Sequence, residues 1–332
     1  MRRVKLAMLR TVRALGGFAL ARRMTRSGVR ILCYHGTWRA ADGFAGDAMF
    51  MGQETFRRRL ETIRRLGYPV VSLDDAVRAL RGAGRVPAGS VAITIDDGWF
   101  GTYADMVPAL RDHQMPATLY CDSAHMLTRQ SVPHVMARWL RRVSGNRAML
   151  PSAEQAFAAA TNVSAPLTER LEALDRFTTE AGIDQMPYRS TRAFEYMLPE
   201  ELHEAASLGL DVQLHTHNHT LGDLSPATVT NEVAANRQAL GHMLPGTAAP
   251  LVHFCYPSGV CSREAGDALA RAGVVSATTT QQGIAWPGMN PYLLPRLLDG
   301  EQVTEVEFEA ELSGFADILR GLRDVLKPVR RG

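Results

Sequence analysis

Short apolar runs alternate along the chain with stretches of helical period. Residues 29–34 (VRILCY), 91–95 (VAITI), 117–121 (ATLYC), 210–214 (LDVQL), 252–256 and 274–278 read as buried strands, with 293–298 as a last strand and 69–73 as an additional early one. Between them, Phe56, Leu60, Ile63 and Leu66 recur at helical spacing and are closed by Gly67. Helices are also expected over 73–80, 103–112, 197–208 and 263–272, and one capped by Ser225 that runs to Met243. This alternation predicts an α/β fold with parallel strands. From about 126 to 195 it stops, and the sequence there is rich in Ala, Arg, Glu and Leu. That stretch is read as a helical insertion within one domain.

The polar residues fall in a regular place. His35, Asp96, Asp97, His215 and Ser258 each sit just past the C-terminal end of an expected strand. In parallel barrels and open α/β sheets that edge is where active sites are assembled, because rigid strands deliver side chains to a shared rim.

Charge divides the chain. The net charge is +3, yet residues 1–30 hold nine Arg or Lys and no acid, so subtracting nine from three leaves about −6 on the rest. A mildly acidic body gives no reason to expect nucleic-acid binding. Residues 1–28 form a separate basic segment in this reading, and 29–332 the main domain. Leu6, Leu9 and Val12 suggest an amphipathic basic helix, interrupted by Gly16 and Gly17. Such a helix either lies on an anionic membrane surface or packs on the body with its charges in water. No apolar core with a cleavage site follows, and no run of about 18 apolar residues occurs, which favours a cytoplasmic protein, at most peripheral to the inner face of the membrane. Cys33, Cys121, Cys255 and Cys261 match no zinc ribbon and no disulfide framework, and three of them lie in apolar, strand-like contexts.

Two motifs carry chemistry. In HTHNH, His215, His217 and His219 share a face if the segment is extended; in a turn, His215 and His219 converge while His217 diverges. Two imidazoles and a carboxylate are a common ligand set for a catalytic zinc ion. Asp96-Asp97-Gly98 ends a strand, and adjacent carboxylates repel unless something compensates. A cation on one of them resolves the repulsion and leaves the other free to act as a general base. Each motif also has a plain reading, a solvated His-rich loop or a polar turn.

Together, TIDDG at 94–98 and HTHNH at 215–219 resemble the polysaccharide deacetylase family, the carbohydrate esterases with a NodB-type domain, whose motifs are T-F-D-D-G and H-S/T-x-x-H. The resemblance spans roughly residues 29–300. It implies a distorted (β/α) barrel, complete or lacking a strand. It implies Asp96 as catalytic base and Asp97, His215 and His219 as ligands of a divalent metal, with zinc the expected ion; His217 falls on an unspecified position. The family's third motif resembles R-P-P-Y, and CYPSG at 255–259 stands in its place without the Arg. A backbone N–H at Ser258 remains available for an oxyanion. The late Leu-x-His motif is not evident either. Arg296, in that late region, is a candidate to orient a carboxylate. The LCYHG run resembles the branch acting on exopolysaccharides such as poly-N-acetylglucosamine, which makes His35 the candidate general acid.

The implied activity is removal of acetyl groups from N-acetylated hexosamines of a polysaccharide or glycan precursor, with a carbohydrate as partner. Two alternatives are an O-acetyl esterase or other amide hydrolase on the same scaffold, and a catalytically degenerate sugar-binding relative. Trp38, Trp99 and Trp286 are either walls for a sugar ring or core. His113, His125, His134, His203, His242 and His253 are read as structural or surface residues.

Overall fold

The computed structural model describes residues 2–40, 49–145, 149–246 and 249–326. Met1 of the basic segment, 146–148 of the insertion and 327–332 of the main domain lie outside the described residues.

Seven parallel strands form a closed barrel in sequence order: β1 (Arg30–Tyr34), β2 (Val91–Asp97), β3 (Ala117–Cys121), β4 (Asp211–Leu214), β5 (His253–Cys255), β6 (Ser276–Gln282) and β7 (Leu294–Leu298). The barrel is therefore complete. β1 closes it by pairing with β2 on one side, Tyr34 opposite Ile95, and with β7 on the other, Leu32 opposite Leu297. β1, β2 and β3 are buried along their whole length, as expected of strands covered on both faces.

Residues 69–73 are not a strand. Val71 donates to, and Pro69 accepts from, the backbone of Val91. The chain then turns straight into the helix Leu73–Leu80, because the Ser72 hydroxyl caps it by accepting from the Asp75 N–H. The expected helix over 103–112 opens instead with a π-helical turn, Thr102–Met106, before the α-helix Val107–His113. Such turns often occur at functional sites.

The insertion comprises helices Ala124–Thr128, Pro133–Val143, Pro151–Thr161, Leu167–Glu180 and Met186–Arg189. Its Trp139, Leu140 and Phe177 belong to the same apolar core as barrel residues Ile93, Leu119 and Phe254. It is thus packed onto the barrel rim. Backbone bridges Trp99–Tyr196 and Ser131–Glu195 tie its base beside the Asp-Asp loop.

Two C-terminal helices, Glu305–Ser313 and Phe315–Leu326, are not evident from periodicity. They pack with the N-terminal helices Arg2–Ala14 and Gly17–Met24 through Leu9, Phe18, Val306 and Ala310. Arg30, the first residue of β1, is fully buried and binds these pieces together by donating to the carbonyls of Thr25, Gly28 and Leu312. A buried guanidinium is tolerated there because its donors are satisfied.

Candidate metal centre and active site

β2 ends in the two carboxylates, and backbone conformation sends them different ways. Asp97 has φ +75°, an unfavourable region for a non-glycine residue, and Thr216 and His219 are likewise at φ +70° and +54°. These turns bring the second motif onto Asp97. Its Oδ1 lies 3.2 Å from His215 Nε2 and 3.1 Å from His219 Nε2. Its Oδ2 accepts from the indole N–H of Trp99 at 2.8 Å. Asp97, His215 and His219 form a group able to hold a cation, with their ligand atoms within 4.8 Å of one another.

The chemistry of these donors fits a metal ion. His215 Nδ1 donates to the carbonyl of Cys255 at 2.8 Å. That bond orients the ring so that Nε2 faces Asp97, where it donates a proton to the carboxylate or, with a cation bound, offers its lone pair to the ion. A lone pair facing a carboxylate is repulsive unless a cation or a proton lies between them. Burial alone would raise the Asp97 pKa. The neighbouring charge of His219 and hydrogen bonds from His215 and His219 override it and hold the carboxyl well below its usual range. The group is therefore an anion poised to bind a positive charge. Asn236 supports the arrangement: its Oδ1 accepts from the His215 N–H, and its Nδ2 donates to the Cys121 carbonyl and the Ser123 hydroxyl.

Asp96 faces the barrel interior and meets Arg296 on β7. The guanidinium donates to both carboxylate oxygens at 2.7 Å. Both side chains are buried. This is the bidentate geometry that makes an Arg–carboxylate pair strong and directional. The Arg absent from the third motif is thus replaced in space by one from the last strand. Cys255, in the third-motif stretch, brings its thiol to 3.5 Å from Asp96 Oδ2, and the Cys33 thiol lies 3.7 Å away. Burial would push Asp96 up, yet Arg296 more than offsets it and keeps the carboxyl below its ordinary value. A carboxylate held ionised and aimed by a fork of donors is suited to accept a proton.

His35 follows β1, half-buried, with Nε2 3.9 Å from Asp96 Oδ2. Its backbone is held from below and behind. The Thr102 hydroxyl donates to its carbonyl at 2.8 Å, and Gly36 passes so close to Trp99 that a Cβ there would sit 2.9 Å from the Trp99 Cβ. Ser258 is exposed on the tight turn after β5, at φ +55°.

The other candidates are elsewhere. His217 diverges, with Nδ1 2.8 Å from the Ser123 hydroxyl. Trp99 is core, 1% exposed, so it forms no wall for a sugar; it serves Asp97 instead. Trp38 stacks in an aromatic cluster with Trp139, Phe50 and Phe194. Trp286 packs beside Gly28, at the opposite end of the barrel. The supporting roles of Asn236, Cys255 and Trp99 are not evident in the sequence. Only the position of Trp99, directly after the Asp-Asp-Gly turn, gives any signal of one.

A closed parallel barrel thus carries a carboxylate–imidazole cluster at its C-terminal rim. The family model described as polysaccharide deacetylase matches residues 83–277, more than half of the chain. The chain belongs to that family, whose chemistry is carbohydrate deacetylation. Solved structures share the fold. The deacetylase PplD of Streptococcus pyogenes, in complex with acetate, is similar at TM-score 0.59 and 18% identity, over 87% of this chain and 99% of that one. IcaB from Ammonifex degensii is similar at 0.57 and 18%, over 87% and 97%. The BpsB deacetylase domain from Bordetella bronchiseptica is similar at 0.52 and 17%, over 83% and 97%. A comparison with curated protein sequences finds no match.

Proposed function

We propose that this protein is a metal-dependent hydrolase that removes acetyl groups from N-acetylated hexosamines of a polysaccharide or glycan precursor. The observation that carries this reading is the pair of neighbouring carboxylates with divided surroundings: Asp97 Oδ1 against two imidazole nitrogens, Asp96 gripped at both oxygens by Arg296. Asp97, His215 and His219 would hold the ion, which we take to be zinc. When bound, the ion supplies Lewis acidity toward the acetyl carbonyl and the attacking water.

The remaining steps fall to the chain. Asp96 accepts the proton of the attacking water, kept ionised and oriented by Arg296. The backbone N–H of Ser258 donates to the oxyanion. His35 Nε2, 3.9 Å from Asp96 Oδ2, protonates the departing amine. The amine leaves as a free amino sugar and the acyl group as acetate.

The catalytic unit in this reading is residues 29–332, with 126–195 as a helical insertion and 1–28 as a basic appendage. Among the described residues no helix is long and apolar enough to cross a membrane. The inward face of the first helix is fixed to the body by Leu9 and by Lys5, which pairs with Glu307 at 2.9 Å. Away from the body it shows Val4 and Met8 beside Arg3 and Arg10, with Leu15 in the turn that follows, all exposed. That combination suits the surface of an anionic membrane, and we place the protein in the cytoplasm, peripheral to that surface.

The test is metal analysis of the purified protein, followed by acetate release from N-acetyl and O-acetyl oligosaccharides before and after chelation. Acetate release from the N-acetyl substrate that vanishes on chelation and returns with zinc is expected. Release that survives complete metal removal, or occurs only from O-acetyl groups, overturns the reading. Co-sedimentation with anionic but not zwitterionic vesicles checks the membrane face.

A further inference from the structure

Beside the metal centre lies a second polar site that the reaction does not use. A cavity of about 470 Å³ separates the insertion from the His-rich loop, within the ~300–1,000 Å³ span of small-ligand pockets. The insertion side contributes His125, Arg170 and the loop at 163–167; the other side contributes Asn218, Thr220 and Glu232. Asn218 and Thr220 line this cavity and flank His219 in the chain, which places it beside the candidate metal ligands.

Arg170 is out of place for a purely structural residue. It is 5% exposed, and among the described residues no carboxylate pairs with it. Its Nη2 donates to His134 Nδ1 at 2.6 Å, and its Nε has no partner. Burial, followed by the charge of Arg170, drives His134 down to about 3, so that partner is a neutral acceptor. Arg170 also lies in the first turn of the helix Leu167–Glu180, the positive end of the helix dipole. Arg138 adds like charge nearby. Asp122, whose charge acts favourably on Arg170, is engaged by His125 at 2.7 Å, and His125 Nε2 is itself buried without a partner. The Glu232 carboxylate is taken by the N–H groups of His217 and Asn218 and by the Asn218 amide. The charge of Asp122 offsets part of the burial cost of Arg170, but that carboxylate is shared with His125, so the guanidinium is only partly compensated. In the wall of a cavity, an anion from a ligand would complete that compensation.

We propose that this cavity is a subsite for an acidic sugar, bearing a carboxylate or a phosphate, adjacent to the N-acetylated residue, and that Arg170 selects it. The proposal rests on the deacetylase reading for its placement, and its test separates the two. Binding is measured by calorimetry with the zinc-loaded protein carrying Asp96→Asn, and turnover with the wild type. The probes are a tetrasaccharide alternating N-acetylglucosamine with glucuronate, a phosphate-substituted N-acetylglucosamine oligomer, and neutral chitotetraose. One gained charge-assisted hydrogen bond predicts about tenfold or tighter binding of an acidic probe over the neutral one. Whichever acidic probe gains distinguishes a uronate from a phosphate. Arg170→Gln, added to the same background, removes that gap, and Arg170→Lys restores part of it.

Equal affinity for acidic and neutral probes overturns the proposal, as does a gap that survives Arg170→Gln. Selective acidic binding with no acetate released by the wild type sinks the deacetylase reading and leaves the subsite standing. A structural Arg170 is detected separately. Arg170→Met is expected to leave Tm unchanged or higher, and a fall of more than about 4 °C overturns the ligand role.

Discussion

The floor and the rim of the site are built differently. On the floor, Asp96, Asp97 and His215 are almost fully buried, and each has its polar atoms engaged by a strand or by a side chain behind it: Arg296, Trp99 or the Cys255 carbonyl. On the rim, His35 and Ser258 are partly or fully exposed; the Thr102 hydroxyl holds the His35 carbonyl, but among the described residues no fork of donors grips either side chain. The floor therefore sets its geometry before substrate arrives, while the rim completes its geometry only with substrate. In the proposed mechanism, electrostatic preorganisation resides in the first, and proton delivery and oxyanion contact in the second.

Substitutions on the floor should have the largest effects. Asp97→Ala removes the anionic ligand and is expected to abolish both zinc retention and acetate release, read by metal analysis and by assay of the same sample. Asp96→Asn keeps the ligand set, so zinc should stay bound while kcat falls by about 10²–10⁴. Retained activity in Asp96→Asn would mean that another group takes the proton. Arg296→Met strands a buried carboxylate and should cost about 3–5 kcal/mol of stability in denaturant titration. The double variant Asp96→Asn, Arg296→Met removes the stranded charge and should recover much of that loss. Failure to recover would show that Arg296 supports the barrel by packing rather than by pairing.

The same division explains what the sequence disclosed. Asp96, Asp97, His215 and His219 were picked out because two short local motifs together carry the family resemblance, and the fold brings them to one rim. Arg296 was legible as a late-region candidate to orient a carboxylate, but not as the partner of Asp96 in particular. Its meeting with Asp96 spans 200 positions of chain and depends on barrel closure, which no local pattern encodes. The strand expected at 69–73 failed for a local reason, the Ser72 cap. The two C-terminal helices were missed because their burial is decided by the N-terminal helices and by Arg30. His125 and His134 read as structural or surface residues; their partners Asp122 and Arg170 are set by tertiary packing that the sequence pattern does not show.

Rim substitutions sharpen the comparison with smaller effects. His35→Ala should lower kcat by about 10²-fold or more without loss of zinc, if His35 delivers the proton. The loss should shrink with substrates whose leaving group is an activated alcohol, which departs without protonation. An equal loss on both substrates would reduce His35 to a positioning role.

The smallest effect is expected at Ser258, and it is informative because it is small. Only the backbone N–H of Ser258 is asked to act, and the side chain is exposed at φ +55°. Ser258→Gly keeps the N–H and relieves the unfavourable φ, so kcat should stay within about threefold of wild type. Ser258→Ala also keeps the N–H but retains the strained backbone, and should behave alike in kcat with slightly lower stability than the Gly variant. A large loss in both variants would place the hydroxyl, not the amide, in contact with the reacting group. The rim would then depend on its side chains as heavily as the floor does.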